Sequence, residues 1–271
     1  MLHITNGDSV TSSFRHAGIE GEYLVWLDTL RDGPIKHIDE LDALRGHDEV
    51  VLWFEHDLYD QMQLVQLLAW FAGNATPGIR LSLIQSSTYL GALESAALAA
   101  LLPARTTVTA EQLAQALEAW NAYCAPDPTG LLAPRPALPF LDAALGRFAE
   151  EYPSVRDGLS RTERQILQAV ASGNTERVPI YLASSASEEA VFLGDTPTWE
   201  RLDLLALGPA RAIDQTGPDD YRINAHGRSI LAGEADWIRS RGAIDRWLGG
   251  VHLKGANAKW RWDGQRFIHS A

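Results

Sequence analysis

The first half of the chain repeats one pattern four times: a short apolar run, a few polar residues, and then an amphipathic stretch. The apolar runs cover residues 2–5, 23–26, 50–54 and 80–84. Their length and their β-branched and aromatic content are typical of buried strands. The stretches that follow have apolar residues at helical spacing. Strands that alternate with helices predict an α/β domain with a parallel, Rossmann-like sheet and helices on its faces.

The third repeat carries the most chemistry. Its apolar run at residues 50–54 is followed by five polar side chains: Glu55, His56, Asp57, Asp60 and Gln61. Apolar residues then recur at helical spacing up to residue 71. Polar groups at the carboxyl end of a buried strand lie where open α/β sheets bind their ligands. The alternative is that Asp57 or Asp60 only caps the helix and that the other side chains are solvated.

Right-handed crossovers would bring the polar turns of all four repeats to one edge of the sheet. The first turn, Asn6-Gly7-Asp8-Ser9, has the strand–glycine–helix order in which backbone N–H groups face an anion. The alternative is that Asp8 or Ser9 is only the N-cap of the helix. The residues expected to meet at this edge are Asn6, Asp8, Ser9, Asp28, Glu55, His56, Asp57, Gln61 and Ser86.

Charge is distributed unevenly along the 271 residues, whose formal net charge is −12. Residues 1–125 carry 6 basic against 16 acidic residues, and residues 126–271 carry 17 against 19. The acidic first half would repel a polyanion, which argues against binding long nucleic acid there. The single cysteine, Cys124, excludes an intramolecular disulfide and suits a reducing compartment. Without a membrane-length apolar run or a signal-peptide pattern, we expect a cytoplasmic protein with no membrane partner.

Composition divides the chain into four segments. Residues 1–125 are the α/β domain, and residues 126–158 are a proline-rich linker with one helix at positions 140–152. Residues 159–235 have the order of a winged-helix domain, namely helices, two paired strands and a final helix. The helix that would enter a DNA groove, residues 198–207, carries two acids and one arginine. We therefore expect this domain to pack as a scaffold or to dimerise rather than to read DNA.

The last segment, residues 236–271, is basic and rich in tryptophan. It carries 7 basic against 3 acidic residues, and its sequence predicts a hairpin around Asp263-Gly264. The tryptophans either form a core or stack on bases. In the first case the arginines would pair with the acidic first domain and close over its site. The pair Gly249-Gly250 suggests a flexible approach to a ligand.

Carboxylates dominate the candidate site, and oxygen ligands favour Mg²⁺ or Mn²⁺, which commonly bridge a phosphorylated substrate. The expected metal ligands are Asp8, Asp28 and Asp57. The expected catalytic groups are Asp8, Glu55, His56 and Asp57. The expected substrate contacts are Asn6, Gly7, Ser9, Gly33, Gln61 and Ser86. The sequence has no zinc-binding pattern and no P-loop or dinucleotide-binding glycine motif.

The turn Gly7-Asp8-Ser9 also resembles that of serine esterases whose nucleophile lies between a strand and a helix. These enzymes place a histidine three positions after an aspartate, and no histidine of this chain has that spacing. A Ser9–His56–Asp57 arrangement is the alternative that stays open. It is disfavoured because adjacent extended residues point apart.

Three motifs in order, HITNGDS at 3–9, WLDTLRDGP at 26–34 and VLWFEHDLYDQ at 51–61, resemble an uncharacterised bacterial family catalogued as domain of unknown function 1835. The resemblance covers residues 1–125. It implies that the family's shared polar positions correspond to Asn6, Gly7, Asp8, Ser9, Asp28, Gly33, Pro34, Glu55, Asp57 and Gln61. The resemblance therefore selects the same turns and brings no activity with it.

Three functions fit these patterns. The first is a cytoplasmic enzyme that binds a nucleotide or another small phosphorylated molecule with a divalent metal, and hydrolyses it or transfers a group. The second is a ligand-sensing regulator whose winged helix binds DNA. The third is a non-catalytic interaction module that forms a homodimer through the winged helix.

Overall fold

The computed structural model describes residues 1–27, 38 and 41–269. The predicted site residues Asp28 and Gly33, and the side chain of Ser9, lie outside the described part. The chain forms two compact units, Met1–Leu145 and Gly146–Ala271. No helix in the described ranges has both the length and the apolar character that a membrane span needs.

A five-stranded sheet organises the first unit. Its strands are β1 (Leu2–Thr5), β2 (Glu22–Val25), β3 (Glu49–Glu55), β4 (Arg80–Ser86) and β5 (Thr106–Thr107). The strand order is β2-β1-β3-β4-β5, and the first four strands are parallel. The predicted parallel sheet is thus confirmed, while β5 is an antiparallel edge strand that the sequence did not predict. Because the chain leaves β1 first towards β2 and later towards β3, the sheet has a topological switch point between β1 and β3.

Four helices cover this sheet: α1 (Asp8–His16), α2 (Leu58–Gly73), α3 (Ser95–Leu101) and α4 (Ala110–Cys124). On one side α1 and α3 pack against Val51 and Trp53, which are alternate residues of β3. On the other side α2 packs against α4. Every residue of β3 is buried, as expected for a central parallel strand that is covered on both faces.

Local signals explain where the helix α4 begins and where a 3-10 turn ends. The side chain of Thr109 and that of Gln112 make a capping box at the start of α4, as the sequence predicts. The second repeat of the sequence pattern predicts a helix after its strand, at residues 38–45. This prediction is wrong for the described part, which contains only a 3-10 turn at Asp42–Leu44. Gly46 follows with φ of 87°, a left-handed conformation that ends the turn.

The proline-rich stretch after α4 is packed rather than extended. It contains a 3-10 turn at Pro128–Leu132 and leads into α5 (Leu141–Ala149), inside which the boundary between the two units falls. The guanidinium of the buried Arg135 donates to the carbonyls of Gly130, Leu131 and Ala133. This single side chain satisfies the turn's backbone and holds the stretch in one conformation.

The second unit continues through the helices α6 (Arg161–Ala171), α7 (Arg177–Ser185) and α8 (Asp195–Ala206). The hairpin β6–β7 (Ile213–Gly217 and Asp220–Ile223) and α9 (Ala225–Ala232) follow, where the sequence predicts paired strands and a helix. After α10 (Trp237–Arg241) come two further hairpins, β8–β9 (Ile244–Leu248 and Val251–Gly255) and β10–β11 (Trp260–Trp262 and Phe267–His269).

The tail of the second unit is a folded part of its core. Trp237 and Trp260 are buried, which confirms the core interpretation for these two tryptophans. The hairpin at Asp263-Gly264 is also confirmed. The expectation for Gly249-Gly250 is wrong, because these glycines form the tight turn of the β8–β9 hairpin. The buried arginines of the tail are engaged within this unit: Arg246 with Glu163, and Arg261 with Asp236.

Candidate functional site

The candidate site lies where β1 and β3 end side by side. Asn6 follows β1, and its Nδ2 donates a hydrogen bond of 2.5 Å to Oδ2 of Asp60. Asp60 lies in the first turn of α2, directly after β3. The hydrogen bond therefore joins the two strand ends on either side of the switch point, which is where doubly wound sheets of this strand order bind their ligands.

The turn between β3 and α2 is held by its own carboxylates. Asp57 is the N-cap of α2, and its Oδ1 accepts from the backbone N–H groups of Tyr59 at 2.9 Å and Asp60 at 3.2 Å. The capping alternative is thus confirmed for Asp57. Asp60 is not a cap, because its Oδ1 accepts from the backbone N–H of Glu55 at 2.7 Å and so ties the helix back to the strand.

Glu55 ends β3 and is oriented by its neighbours. Its Oε1 accepts from the backbone N–H of Leu90 at 2.6 Å. Its carbonyl oxygen accepts from Nε2 of Gln61 at 2.6 Å, and Oε1 of Gln61 accepts from Nε2 of Gln85 at 3.4 Å. Gln61, a predicted substrate contact, therefore supports the backbone of the site.

Three buried carboxylates meet in this turn. Glu55, Asp57 and Asp60 are 9%, 5% and 3% exposed, and one oxygen from each lies within 4.8 Å of the others. Within the described residues no ion pair connects any of the three to a basic side chain. Three like charges without a counter-cation are strongly disfavoured in a buried position.

The electrostatic consequence is a set of raised pKa values. Burial, followed by the negative charge of Asp60, raises the pKa of Glu55 from 4.5 to about 7. Burial also raises the pKa values of Asp57 and Asp60, and each of these carboxylates has a carboxylate neighbour that raises its pKa further. The raised pKa values mean that the protonated form of these carboxylates is favoured, whereas a bound cation would favour the ionised form.

Two buried polar atoms at the same edge lack a hydrogen-bond partner among the described residues: Oγ1 of Thr5, the last residue of β1, and Nδ1 of His56. Thr5 is paired in register with Trp53, two residues before Glu55, and is 1% exposed. Buried polar groups are normally satisfied by protein, water or ligand. Both atoms could therefore bond to a water or ligand atom at this edge.

The other predicted residues have mixed outcomes. Asp8 is the exposed first residue of α1 and does not belong to the carboxylate group, so its role as a metal ligand stays a prediction. The expectation that Asp8 or Ser9 caps α1 is wrong. The N-cap is Gly7, with φ of 82° and ψ of 152°, a conformation that L-residues rarely adopt. Ser86 lies opposite Glu55 in the sheet, but its hydroxyl bonds to the backbone of Thr88.

Asp60 is not among the metal ligands, catalytic groups or substrate contacts that the sequence predicts. A signal for it exists, because Asp60 is three residues after the cap Asp57, and residues three apart in the first helical turn lie on the same side of the helix. Its partner Asn6 is 54 positions away. The serine-nucleophile alternative stays a prediction, because the side chain of Ser9 lies outside the described part.

Comparisons with known proteins assign no function to this site. The chain matches no protein-family model, and no curated protein matches it. The resemblance of residues 1–125 to an uncharacterised family therefore stays a prediction.

Proposed function

We propose that the first unit is a divalent-metal-dependent enzyme that binds a nucleotide or another small phosphorylated molecule and hydrolyses it or transfers a group. The observation that supports this most is the set of three buried carboxylates, without a counter-cation in the described residues, at the switch point between β1 and β3. Perturbed carboxylates in such a position are typical of functional sites, and oxygen-only ligand sets favour Mg²⁺ or Mn²⁺.

Glu55, Asp57 and Asp60 would hold the metal ion. Oxygens on opposite sides of a Mg²⁺ ion are about 4 Å apart, and the three carboxylate oxygens lie within 4.8 Å of one another. The backbone N–H of Leu90 and the side chain of Asn6 orient two of these carboxylates. A bound ion would compensate the charge that the fold leaves buried, and it would supply Lewis-acid stabilisation to a phosphoryl oxygen.

The start of α1 would bind the phosphate. The N-cap of this helix is Gly7, which has no side chain to accept from the N–H groups of the first turn. The left-handed conformation of Gly7 turns the chain sharply from β1 into the helix. Helix N-termini stabilise anions, and this one follows directly on Asn6, which contacts the carboxylate group. His56, between Glu55 and Asp57, is the candidate general acid or base.

Metal binding is the first test. We expect Mn²⁺ at 100 times its dissociation constant to add about 2.7 kcal/mol to the free energy of unfolding, measured as a rise in melting temperature. Glu55→Gln and Asp57→Asn should abolish that rise. Asp57→Asn is well suited to the test because asparagine also caps helices. Glu118→Gln, which removes an exposed carboxylate from α4, is the matched control and should respond like the wild type. An equal response of all four proteins would reject the site.

For the second unit we propose a winged-helix-like scaffold that forms a homodimer. Three helices, a two-stranded hairpin and a further helix follow in the order of that fold. The helix α7 exposes Val178 and Leu182, one turn apart, at 56% and 60%. In α8, Asp203 forms an ion pair with Arg177 of α7 at 2.8 Å, which weakens a role in DNA binding.

Light scattering tests this second proposal. The wild type should be a dimer, and Leu182→Ser should shift it to a monomer. Val155→Ser changes an apolar residue of similar exposure elsewhere in the same unit and should leave the dimer intact. A monomeric wild type, or salt-dependent DNA binding by it, would overturn the proposal.

A further inference from the structure

Three aromatic rings stand beside the carboxylate group in the first unit: His56, Tyr89 and Phe140. The ring centroid of His56 is 5.4 Å from that of Tyr89 and 6.1 Å from that of Phe140, with interplanar angles of 48° and 66°. All three residues are half-buried. We call this group the aromatic wall. It comes from three separate parts of the chain: the β3–α2 turn, the β4–α3 connection and the segment before α5.

The wall is fixed to the carboxylate group by short connections. His56 lies between Glu55 and Asp57 in sequence. Leu90, the neighbour of Tyr89, is 1% exposed in the core, and its backbone N–H donates to Glu55 Oε1 at 2.6 Å. Two of the three rings therefore belong to residues directly next to a carboxylate of the group or next to the residue that donates to it.

The segment that carries Phe140 is also rigid. Arg135 binds three backbone carbonyls of the preceding turn, and its own N–H donates to Asp142 at 3.0 Å. Ala137 is held by both backbone groups, since its carbonyl accepts from Gln112 at 3.2 Å and its N–H donates to Gln115 at 2.9 Å. A ring on such a segment keeps its position when a ligand binds, which lowers the entropic cost of binding.

The aromatic wall also contains a buried polar atom. Nδ1 of His56 is buried and has no hydrogen-bond partner among the described residues. An unmade hydrogen bond at a buried atom is unfavourable, and a ligand atom could supply the missing partner. Half-exposed rings with one hydrogen-bonding edge match a planar heterocycle, which stacks on aromatic faces and carries donors and acceptors on its rim.

We propose that the aromatic wall binds the base of a nucleotide, so that the substrate is a nucleotide and not a sugar phosphate. The inference rests on the proposed function, in which the metal and the start of α1 hold the phosphate. Tyr89 and Phe140 contribute ring surface to the base, and His56 contributes a hydrogen bond through Nδ1.

Calorimetric binding of defined probes in the presence of Mn²⁺ tests the proposal. The probes are the four common ribonucleoside monophosphates and ribose 5-phosphate, which has the same sugar and phosphate without a base. At least one nucleotide should bind 10-fold or more tightly than ribose 5-phosphate, since stacking on one aromatic ring is worth about 1–3 kcal/mol.

Paired variants distinguish the effect of losing an aromatic ring from an effect on folding. Phe140→Leu and Tyr89→Leu should weaken nucleotide binding about 10-fold and leave ribose 5-phosphate binding unchanged. Phe140→Tyr and Tyr89→Phe keep the rings and should bind nucleotides like the wild type. Melting temperature and Mn²⁺ affinity, measured on each variant, show that the fold and the carboxylate group are intact.

The outcomes distinguish this inference from the metal proposal. Mn²⁺ binding without a preference for nucleotides over ribose 5-phosphate would overturn the aromatic wall and leave the metal site standing. Nucleotide binding that depends on Tyr89 and Phe140 but persists in EDTA and in Asp57→Asn would support the wall and reject the metal. Tryptamine, an aromatic amine, is a further probe: if it binds more tightly than every nucleotide, the wall serves an organic cation and the proposal is wrong.

Discussion

The two ends of β3 carry the same residue type in opposite environments. Glu49 opens the strand and Glu55 closes it, and both are buried. The carboxylate of Glu49 lies 2.5 Å from Arg80 and 2.7 Å from Arg105, and it accepts from the hydroxyl of Ser82 at 2.7 Å. The hydrogen bond from Arg105, together with those from Arg80 and Ser82, lowers the pKa of Glu49 to about 2.

Glu55 has no such compensation. Its carboxylate neighbours are Asp57 and Asp60, and burial together with the charge of Asp60 raises its pKa to about 7. Burial is therefore common to both glutamates and does not by itself mark a functional site. What separates them is whether the fold supplies the partners of the charge, as it does at Glu49, or leaves them to a ligand, as we propose at Glu55.

The largest expected effect is at the Glu49 end of β3, where two arginines compensate the buried carboxylate. Glu49→Gln should lower the free energy of unfolding by about 3 kcal/mol, because it leaves two arginines without their carboxylate partner. Chemical denaturation at pH 7 measures the change. The matched variant Asp142→Asn should have a smaller effect, since its carboxylate only accepts from a backbone N–H. If Glu49→Gln is as stable as the wild type, the ion pairs of this end contribute nothing and the contrast is lost.

At the Glu55 end of β3, removal of the carboxylate should raise the free energy of unfolding and not lower it. Glu55→Gln keeps an acceptor for the N–H of Leu90 and removes a buried negative charge from a group of three. At pH 8 we expect it to raise the free energy of unfolding of the metal-free protein by about 1 kcal/mol. The same substitution should abolish the stabilisation by Mn²⁺. A loss of stability at pH 8 would mean that Glu55 is already compensated, in contradiction to the comparison.

The pH dependence of stability should separate the two ends further. The folded-state pKa of Glu49 lies below its ordinary 4.5, so its contribution is present above that value and is lost as pH falls towards 2. The folded-state pKa of Glu55 lies above 4.5, so its contribution is present below that value and is lost as pH rises through 7. The difference in unfolding free energy between Glu55→Gln and the wild type should therefore grow between pH 5 and 8. A difference that is constant over this range would show that Glu55 does not titrate there.

Sequence patterns predicted most strands of the sheet, but they did not predict the difference between Glu49 and Glu55. The four parallel strands were found because each contains a short apolar run, which is longest in β3, the strand that is buried throughout. The strand β5 escaped because its two residues, Thr106–Thr107, are too few to form a pattern. The capping boxes at Thr109 and Ser160 are local in the same way, because their partners lie three residues away.

The partners that decide the chemistry lie far away in sequence. Glu49 meets Arg80 and Arg105 at separations of 31 and 56 positions, and Asn6 meets Asp60 at 54. Both glutamates flank one apolar run, so local sequence cannot show which of them is compensated. The sequence could place polar residues at the strand end, but only the three-dimensional structure shows that Asp60 completes the carboxylate group and that Asp8 is outside it.

The smallest expected effect tests Asn6, a neutral side chain that donates to the carboxylate group. Asn6 donates to Asp60, and this hydrogen bond favours the ionised carboxylate and so lowers its pKa against the effect of burial. Asn6→Ala should therefore destabilise the protein by about 1 kcal/mol at pH 8, where Asp60 is ionised, and by less at pH 5, where it is protonated. Denaturation of the variant and the wild type at both pH values measures this difference.

Asn74→Ala, which removes an exposed amide bonded to the carbonyl of Trp70, is the control and should show the same small loss at either pH. If Asn6→Ala behaves like the control, Asp60 is not held as an anion by Asn6, and the neutral partner at the switch point is structural only.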